Sequence, residues 1–290
     1  MSKIAILTDS SCDIPQEMAE KYGIDIMSFH ILLDDVDYVE RESCTNTEFY
    51  DKMRLAKGVP STAAITPIQF CEKYCQYVDE GYTDVIHVPI NKSGSSTYNN
   101  ALMAQGMLRE ERPEHHMKIH LLDSHTYSMV FGWYLCEMAR KLKNGAEISH
   151  VIQEFEKQMN CMEIILGPYS LKQMKKSGRI SAAAAVMGEL MGVRPIITLI
   201  DGKTKVESKV RGDDKVIPAM IDLCKKRTEG VEDFDYMIGH TSIPQAAELE
   251  KACRKAFGKA PLTTFNLGGV VSANTGPDTL ALVYVGKPRD

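Results

Sequence analysis

Short apolar runs alternate with helical patterns along the first half of the chain. Residues 3–8, 84–90 and 118–122 read as buried strands, and residues 24–33 as a further strand that ends in a turn at 34–37. Helices are predicted at 15–22, with Asp13 as a cap candidate, and at 46–55, 67–80, 95–112 and 128–143. Strands that alternate with helices at this spacing predict a parallel sheet with crossover helices.

The second half has a less regular pattern. Helices are predicted at 147–159, 171–176, 182–191, 214–227 and 244–257, and strands at 163–167, 195–200, 203–210, 236–239, 262–266 and 280–285. The Asp201-Gly202 pair between two of these strands predicts a tight β-hairpin, and hence a mixed sheet. We therefore expect an α/β protein of two domains, an N-terminal one at 1–155 with a parallel sheet and a C-terminal one at 156–290.

Composition narrows the class of protein. Apolar residues make up 44% and charged residues 25% of the chain, as in ordinary globular proteins. The net charge is −5 and the cations are interleaved with acids, so no nucleic-acid partner is expected. The N-terminus lacks a signal-peptide pattern, and no apolar run reaches membrane-spanning length. The expectation is a cytoplasmic protein without stable membrane insertion, with its eight cysteines reduced and no metal.

Hydroxyl-rich loops follow the predicted strands at 8–11, 91–97 and 123–126, and a further one at 60–62 precedes a helix. Ligands of open α/β sheets bind beyond the carboxyl ends of the strands, so these loops are candidates for a site. They also suit helix N-caps, which favour Ser, Thr and Asp, and the sequence leaves both readings open.

The loop at 91–97 carries the most chemical information. Hydroxyls and free backbone N–H groups at the start of a helix suit a carboxylate or a phosphate. The chain has neither the glycine-lysine pattern of a nucleotide P-loop nor a G-x-G-x-x-G or G-x-S-x-G motif. The sequence therefore does not indicate a nucleotide, a dinucleotide or a hydrolase nucleophile, and no cofactor is expected.

A basic segment runs through Lys172, Lys175, Lys176 and Arg179. Cations at the end of a helix that stops at Gly178 complement the helix dipole. The same residues could form a basic rim beside an anion site, with Arg179 as the donor that points inward.

Taken in order, several segments resemble the DegV family from residue 3 to about residue 286. They are the opening K-I-A-I-L-T-D-S-S-C-D-I-P, Val59 to Thr62 with Pro67, Ser95 to Ala101, Asp123-Ser124 with Ser128-Met129 and Gly132, Lys175 to Ser181, Arg194 to Ile197 with Asp201-Gly202 and Arg211, and Gly276-Pro277. Each segment alone is unspecific, but their order is typical of the family.

The resemblance implies a long-chain fatty acid buried between two α/β domains. It implies that Thr62 and Ser95 hydrogen-bond the carboxylate, that Arg179 lies near it, and that Ser96 and Asn274 occupy head-group positions. Relatives that work in fatty-acid activation present the acyl group to a separate ATP-dependent kinase, which makes acyl phosphate. The carrier itself is then not an enzyme, and Lys175 and Lys176 would dock the kinase.

The chain departs from the family pattern at four places. Asn274 stands for a histidine, Asp278 for a glycine, Ser96 for the glycine of S-G-T-Y, and Ala63-Ala64-Ile65 for S-Q-P. An asparagine can donate a hydrogen bond but cannot carry a proton charge. Asp278 either places a negative charge near the head group or faces solvent.

Two alternatives to a carrier remain at this point. The first is an enzyme or binder of a small phosphorylated or hydroxylated metabolite, for which His125 or His240 would be the base. The second is a regulatory protein that senses lipid through a partner.

Overall fold

The computed structural model describes residues 3–178 and 192–289, so the predicted helix at 182–191 lies outside the described residues. The strands are β1 (Ile4–Asp9), β2 (Ile24–Met27), β3 (His30–Leu33), β4 (Val36–Val39), β5 (Ser61–Ala63), β6 (Asp84–Val88), β7 (Lys118–Leu121), β8 (Met162–Pro168), β9 (Val193–Ile200), β10 (Lys203–Arg211), β11 (Tyr236–His240), β12 (Thr264–Asn266) and β13 (Thr279–Val285). The helices are α1 (Gln16–Tyr22), α2 (Asn46–Leu55), α3 (Pro67–Asp79), α4 (Thr97–Glu111), α5 (Met129–Lys143), α6 (Ile148–Met159), α7 (Lys172–Ser177), α8 (Val216–Arg227), α9 (Gln245–Phe257) and α10 (Gly269–Thr275).

The first sheet has the strand order β2-β1-β6-β7, and all of its pairs are parallel. Alternate residues of β1 face opposite sides, so Ile6 joins one core cluster while Ala5 and Leu7 join another. Helices cover both faces, as burial of a parallel sheet requires. The predicted parallel α/β sheet is confirmed.

The second sheet has the order β10-β9-β8-β13-β11-β12. Its pairs are antiparallel except for β11 with β12, so the predicted mixed sheet is also confirmed. Asp201 (φ 48°) and Gly202 (φ 72°) form the predicted turn between β9 and β10. Positive φ at both central residues is the requirement of the hairpin turn that matches strand twist.

A third, three-stranded sheet with the order β4-β3-β5 was not predicted. The single strand expected at 24–33 is broken into β2 and β3, and the chain then reverses at Asp34 and Asp35, both with positive φ. Residues 61–63, predicted as part of a loop that precedes a helix, form the edge strand β5. The cap of α3 is instead Thr66, which forms a capping box with Gln69.

We call residues 3–155 the first lobe and the described residues from 156 onward the second lobe, following the predicted boundary. Helix α10 belongs to the second lobe in sequence, yet its Val270 and Ala273 pack into a core cluster with Ile31 and Phe49 of the first lobe. The lobes therefore share a packed interior next to α10.

Within residues 3–178 and 192–289, no helix combines the length and the apolar character that crossing a bilayer requires.

Candidate ligand-binding site

A cavity lies between the two lobes, with about 1010 Å³ of space that no atom occupies, its open mouth included. One wall is a patch of the second sheet, which we call the sheet wall: Ile164, Leu166, Leu199, Ala281 and Val283. The strand register explains the patch, because Ala281 pairs with Leu166, Val283 with Ile164, and Ile164 with Leu199. The opposite face of the same strands packs in a separate core.

First-lobe residues and α10 complete the apolar lining. They are Phe29, Ala64, Ile90 and Val130 of the first lobe, with Phe265, Leu267, Val270 and Val271 around α10. Among the described residues, none of those that line the cavity carries a formal charge. The volume and the largely apolar lining are typical of a small-molecule site.

Hydroxyl and amide side chains also line the cavity, and we call the following five the polar end: Thr62, Ser95, Ser96, Asn274 and Thr275. They come from β5, from the loop before α4 and from the last turn of α10. Asn100 in α4 donates to the backbone oxygen of Ile65 at 2.8 Å, which fixes α4 against the segment that follows β5. The structure thus brings together four of the five predicted lipid-binding residues.

Close packing positions the loop that carries Ser95 and Ser96. A Cβ on Gly94 would overlap the hydroxyl and ring of Tyr127, so a larger residue here would require this side chain to move. The Ser95 hydroxyl lies 2.8 Å from the Thr97 hydroxyl and accepts from the Thr97 backbone N–H at 3.3 Å. Ser95 therefore lines the cavity and also accepts a hydrogen bond from the first residue of α4. It combines a position at the candidate site with the role of a helix cap, the two interpretations that the sequence left open.

Thr62 lies on β5, where it pairs with Ile31 and is exposed. Ser96 is also exposed. These two hydroxyls stand at the mouth of the cavity, where water can reach them.

Asn274 and Thr275 lie on α10, which the sequence analysis did not identify. Asn274 donates its amide N–H to the backbone oxygen of Val270 at 2.8 Å. Thr275 was not predicted as a site residue, although it is 4% exposed and lines the cavity. The sequence signal that could have drawn attention to this segment is the adjacent Gly276-Pro277, the last of the segments that resemble the family.

The basic segment lies partly in α7 and partly outside the described residues. Lys175 is half-buried and Lys176 is exposed, and Gly178 ends the helix with φ 68°, as predicted. Arg179, the predicted inward donor, lies outside the described residues.

Asp278 does not line the cavity. Its carboxylate accepts from Nε of Arg54 at 3.1 Å, and the same arginine donates to the backbone oxygen of Pro277 at 2.7 Å. The sequence analysis considered two positions for this charge, one near the head group and one that faces solvent. The structure shows a partly exposed ion pair with Arg54 of α2.

Three buried carboxyl groups form what we call the acidic cluster: Asp9, Asp13 and Glu40. Asp9 accepts from the backbone N–H of Ile90 at 2.7 Å and from Ser11. Glu40 accepts from the Ser10 hydroxyl and, at 2.7 Å, from the backbone N–H of Val270.

Asp13 was predicted to cap α1, and this prediction was wrong. Helix α1 starts after Pro15 without a side-chain cap, and Asp13 has φ 53°. The reason is a tertiary contact, since the carboxylate accepts from the Ser128 hydroxyl and from the backbone N–H of Gly268 at 2.9 Å. Asp13 and Glu40 thus hold the start of α10 against the first lobe.

Burial changes the acidity of this cluster. It raises the pKa of Asp9 to about 7 and the pKa of Glu40 above its usual range. Burial and the nearby Glu40 raise the pKa of Asp13 well above its usual range. Since these groups already have structural partners, their shifted pKa values do not by themselves indicate catalysis.

The two histidines considered as bases do not line the cavity. Nδ1 of His125 lies 2.7 Å from Asp201 on the β9–β10 turn, and Nδ1 of His240 accepts from the backbone N–H of Ser242 at 3.0 Å. In the part of the chain that the structure describes, no group of three or more His, Cys, Asp or Glu side chains could hold a metal ion.

The family model and the curated relatives that match this chain name the same family. The model of a family described as "Uncharacterised protein, DegV family" matches residues 3–287. A DegV domain-containing protein of Clostridium perfringens is 29% identical over 289 residues, which cover 98% of this chain and 99% of that protein.

Solved structures show the same fold over nearly the whole length. A protein of Eubacterium ventriosum described as binding stearic acid superposes with a TM-score of 0.89 at 23% identity, covering 99% of each chain. A Thermotoga maritima protein, whose structure is described as revealing a fatty-acid-binding function, gives a TM-score of 0.82 at 25% identity, covering 99% of this chain and 100% of that one.

Proposed function

Because the chain belongs to the DegV family, we propose that it binds one long-chain fatty acid in the cavity between its lobes. The observation that carries this proposal is the lining itself, which combines an apolar sheet wall with hydroxyl and amide groups from β5, the loop before α4 and the last turn of α10. A linear ligand with an apolar tail and one polar head matches that division.

The tail would provide most of the affinity. A sixteen-carbon acid has about fourteen methylenes, and at ~0.8 kcal/mol each their burial contributes roughly 11 kcal/mol before costs are counted. Loss of ligand motion and ordering of the chain offset several kcal/mol of this. The head group then needs only enough hydrogen bonds to replace its lost water.

We propose that Thr62, Ser95, Ser96 and Asn274 hydrogen-bond the carboxyl group, with Arg179 as the nearby cation. Support comes from the shared position of the first four residues around one cavity. Hydrogen bonds to an ionised head are stronger than neutral ones, so a few hydroxyls suffice.

The direct test is extraction of protein purified from lipid-replete cells, followed by mass spectrometry. We expect a fatty acid of about 14 to 18 carbons at roughly one molecule per chain, the load that one pocket of this size allows. A clean extract would contradict the proposal. Stabilisation by a sugar phosphate in a thermal-shift screen would favour the alternative of a small-metabolite protein.

Ala281→Phe should remove most of the bound lipid. Ala281 is 2% exposed and lies in the sheet wall beside Leu166, so the added ring would occupy the space of the acyl chain. Overpacking costs about 1–3 kcal/mol of stability, which thermal unfolding would report separately. The control is Ala63→Phe on exposed β5, outside the lining. Equal lipid content in both variants would place the ligand elsewhere.

We further propose that the protein presents the carboxyl group to a separate ATP-dependent kinase that makes acyl phosphate, and that Lys175 and Lys176 dock this kinase. The exposure of Thr62, Ser96 and Lys176 supports an accessible head end beside a basic surface. The test is to add ATP and a fatty-acid kinase to protein loaded with labelled palmitate. Formation of labelled acyl phosphate is expected, and its absence would leave a binding protein without this role.

A further inference from the structure

We propose that the hydroxyl of Thr275 is a further head-group ligand in this cavity. In this role it would provide a donor beside Asn274, whose amide directs one N–H into its own helix. The inference rests on the proposed fatty-acid binding and deepens it, because it names the buried group that contacts the carboxyl group of the ligand.

The first observation is the hydrogen-bonding state of Thr275. The residue is 4% exposed, and its Oγ1 is buried without a partner among the residues that the structure describes. Its backbone oxygen, by contrast, accepts from the Thr279 hydroxyl at 2.8 Å. Buried side-chain oxygens in folded proteins nearly always have a partner, so an exception at a cavity wall indicates a place for a bound group.

The second observation is the position of Thr275 on α10. Residues four apart on a helix lie on the same face, which stacks Thr275 over Val271 and Asn274 over Val270. All four residues line the cavity. Thr275 therefore ends the face of α10 that lines the cavity, where the head and the tail of a bound acid would meet.

The other hydroxyls of the lining are already engaged or reach water. Ser128 donates to Asp13, and the Ser95 hydroxyl bonds with that of Thr97. Thr62 and Ser96 are exposed. Within the described residues, Thr275 is thus a buried donor without an acceptor, and a ligand oxygen would provide one.

A second buried polar atom, in Gln173, lies beside Gly276, the residue that follows Thr275. Oε1 of Gln173 is also buried without a partner in the described ranges. It lies 3.3 Å from the point where a Cβ would stand if residue 276 had a side chain. A water molecule could join Gln173 to Thr275. In that case Thr275 would have a structural role, and the experiment below is designed to detect it.

The test is Thr275→Val, which keeps the shape of the side chain and removes its hydroxyl. We expect delipidated variant to bind palmitate about tenfold more weakly, as loss of one hydrogen bond to a charged group predicts. Thr275→Ser, which keeps the hydroxyl, should bind within about threefold of wild type by the same rule. The matched control is Ser272→Ala, which removes a buried α10 hydroxyl that bonds to Gly269 and does not line the cavity.

Two further readouts separate a ligand contact from a structural role. Without lipid, Thr275→Val should melt at or above the wild-type temperature, because removing an unpaired buried hydroxyl leaves no partner unsatisfied. With methyl palmitate, whose head is uncharged, the loss of affinity should be smaller than with palmitate. If Thr275→Val does not fold, Thr275→Ala provides the same comparison.

Unchanged palmitate affinity in Thr275→Val would overturn the inference and leave the proposed function standing. An equal loss with palmitate and its methyl ester, or a clear drop in the melting temperature without lipid, would also overturn it. Failure of the wild-type protein to bind either lipid would instead contradict the proposed function itself.

Discussion

The acidic cluster and the polar end of the cavity both lie between the lobes, and Ser128 lines the cavity while donating to the cluster. In the cluster, Glu40 and Asp13 accept backbone N–H groups of Val270 and Gly268 across the lobes. At the polar end, the Thr275 hydroxyl has no partner in the described chain, and Thr62 and Ser96 are open to water. The carboxylates of Glu40 and Asp13 connect the lobes through backbone N–H groups, whereas the hydroxyls of the polar end make no such connection in the described residues.

The largest expected effect is on the free energy of unfolding, and it comes from a change in the acidic cluster rather than at the polar end. Glu40→Ala would leave the Ser10 hydroxyl and the Val270 N–H buried without an acceptor, at a cost of about 3 kcal/mol or more in the free energy of unfolding. Urea denaturation would measure it, with exposed Glu42→Ala as the neighbouring control. A loss below about 1 kcal/mol would mean that the cluster does not hold α10 in place.

A second prediction concerns the pH dependence of the cluster. The folded protein keeps Asp9 protonated up to about pH 7, whereas the unfolded chain loses this proton near the ordinary pKa of 3.8. The stability that the proton contributes is complete below about pH 4 and is lost as the pH rises through 7.

Asp9→Asn should therefore remove the contribution of Asp9 to the decline in unfolding free energy between about pH 4 and 7, which for one group is at most ~1.4 kcal/mol per pH unit. Urea denaturation across this range would show it, and exposed Asp222→Asn should keep the wild-type slope. Identical slopes for all three proteins would show that Asp9 ionises normally in the fold.

The smallest expected effect lies at the polar end. Ser95→Ala should weaken palmitate binding by roughly threefold to tenfold, because one hydroxyl to the head is lost, and should cost less than about 1 kcal/mol of stability. Titration of delipidated protein would measure the affinity. Ser93→Ala on the same loop is the control, since its hydroxyl bonds to Asn91 and does not line the cavity. Equal affinity in wild type and Ser95→Ala would remove Ser95 from the head site.

Much of the fold could be predicted because long periodic segments determine it. The parallel strands, the crossover helices and the Asp201-Gly202 hairpin follow from local pattern and turn chemistry. The third sheet was missed because β5 has three exposed residues and β4 carries little apolar pattern. Helix α10 was missed because seven residues that start with Gly269 and contain β-branched valines show no helical signal.

The candidate site depended on a different kind of information. Thr62, Ser95, Ser96 and Asn274 were selected through the family resemblance, and the structure places them around one cavity. Asp13 and Thr275 could not be assigned from sequence, since the role of each depends on a residue or a space brought close only by folding. Local rules favour a cap for Asp13, and a distant contact with Gly268 overrides them.

The placement of α10 also bears on how the protein is made. Val270 and Ala273 complete a core whose other members lie between Ala5 and Met117. During synthesis this core cannot be completed before residues 270–273 have left the ribosome, since such sequence-distant contacts form late. We expect a chain truncated before α10 to leave this core incomplete, with the apolar surface that contacts Val270 and Ala273 exposed.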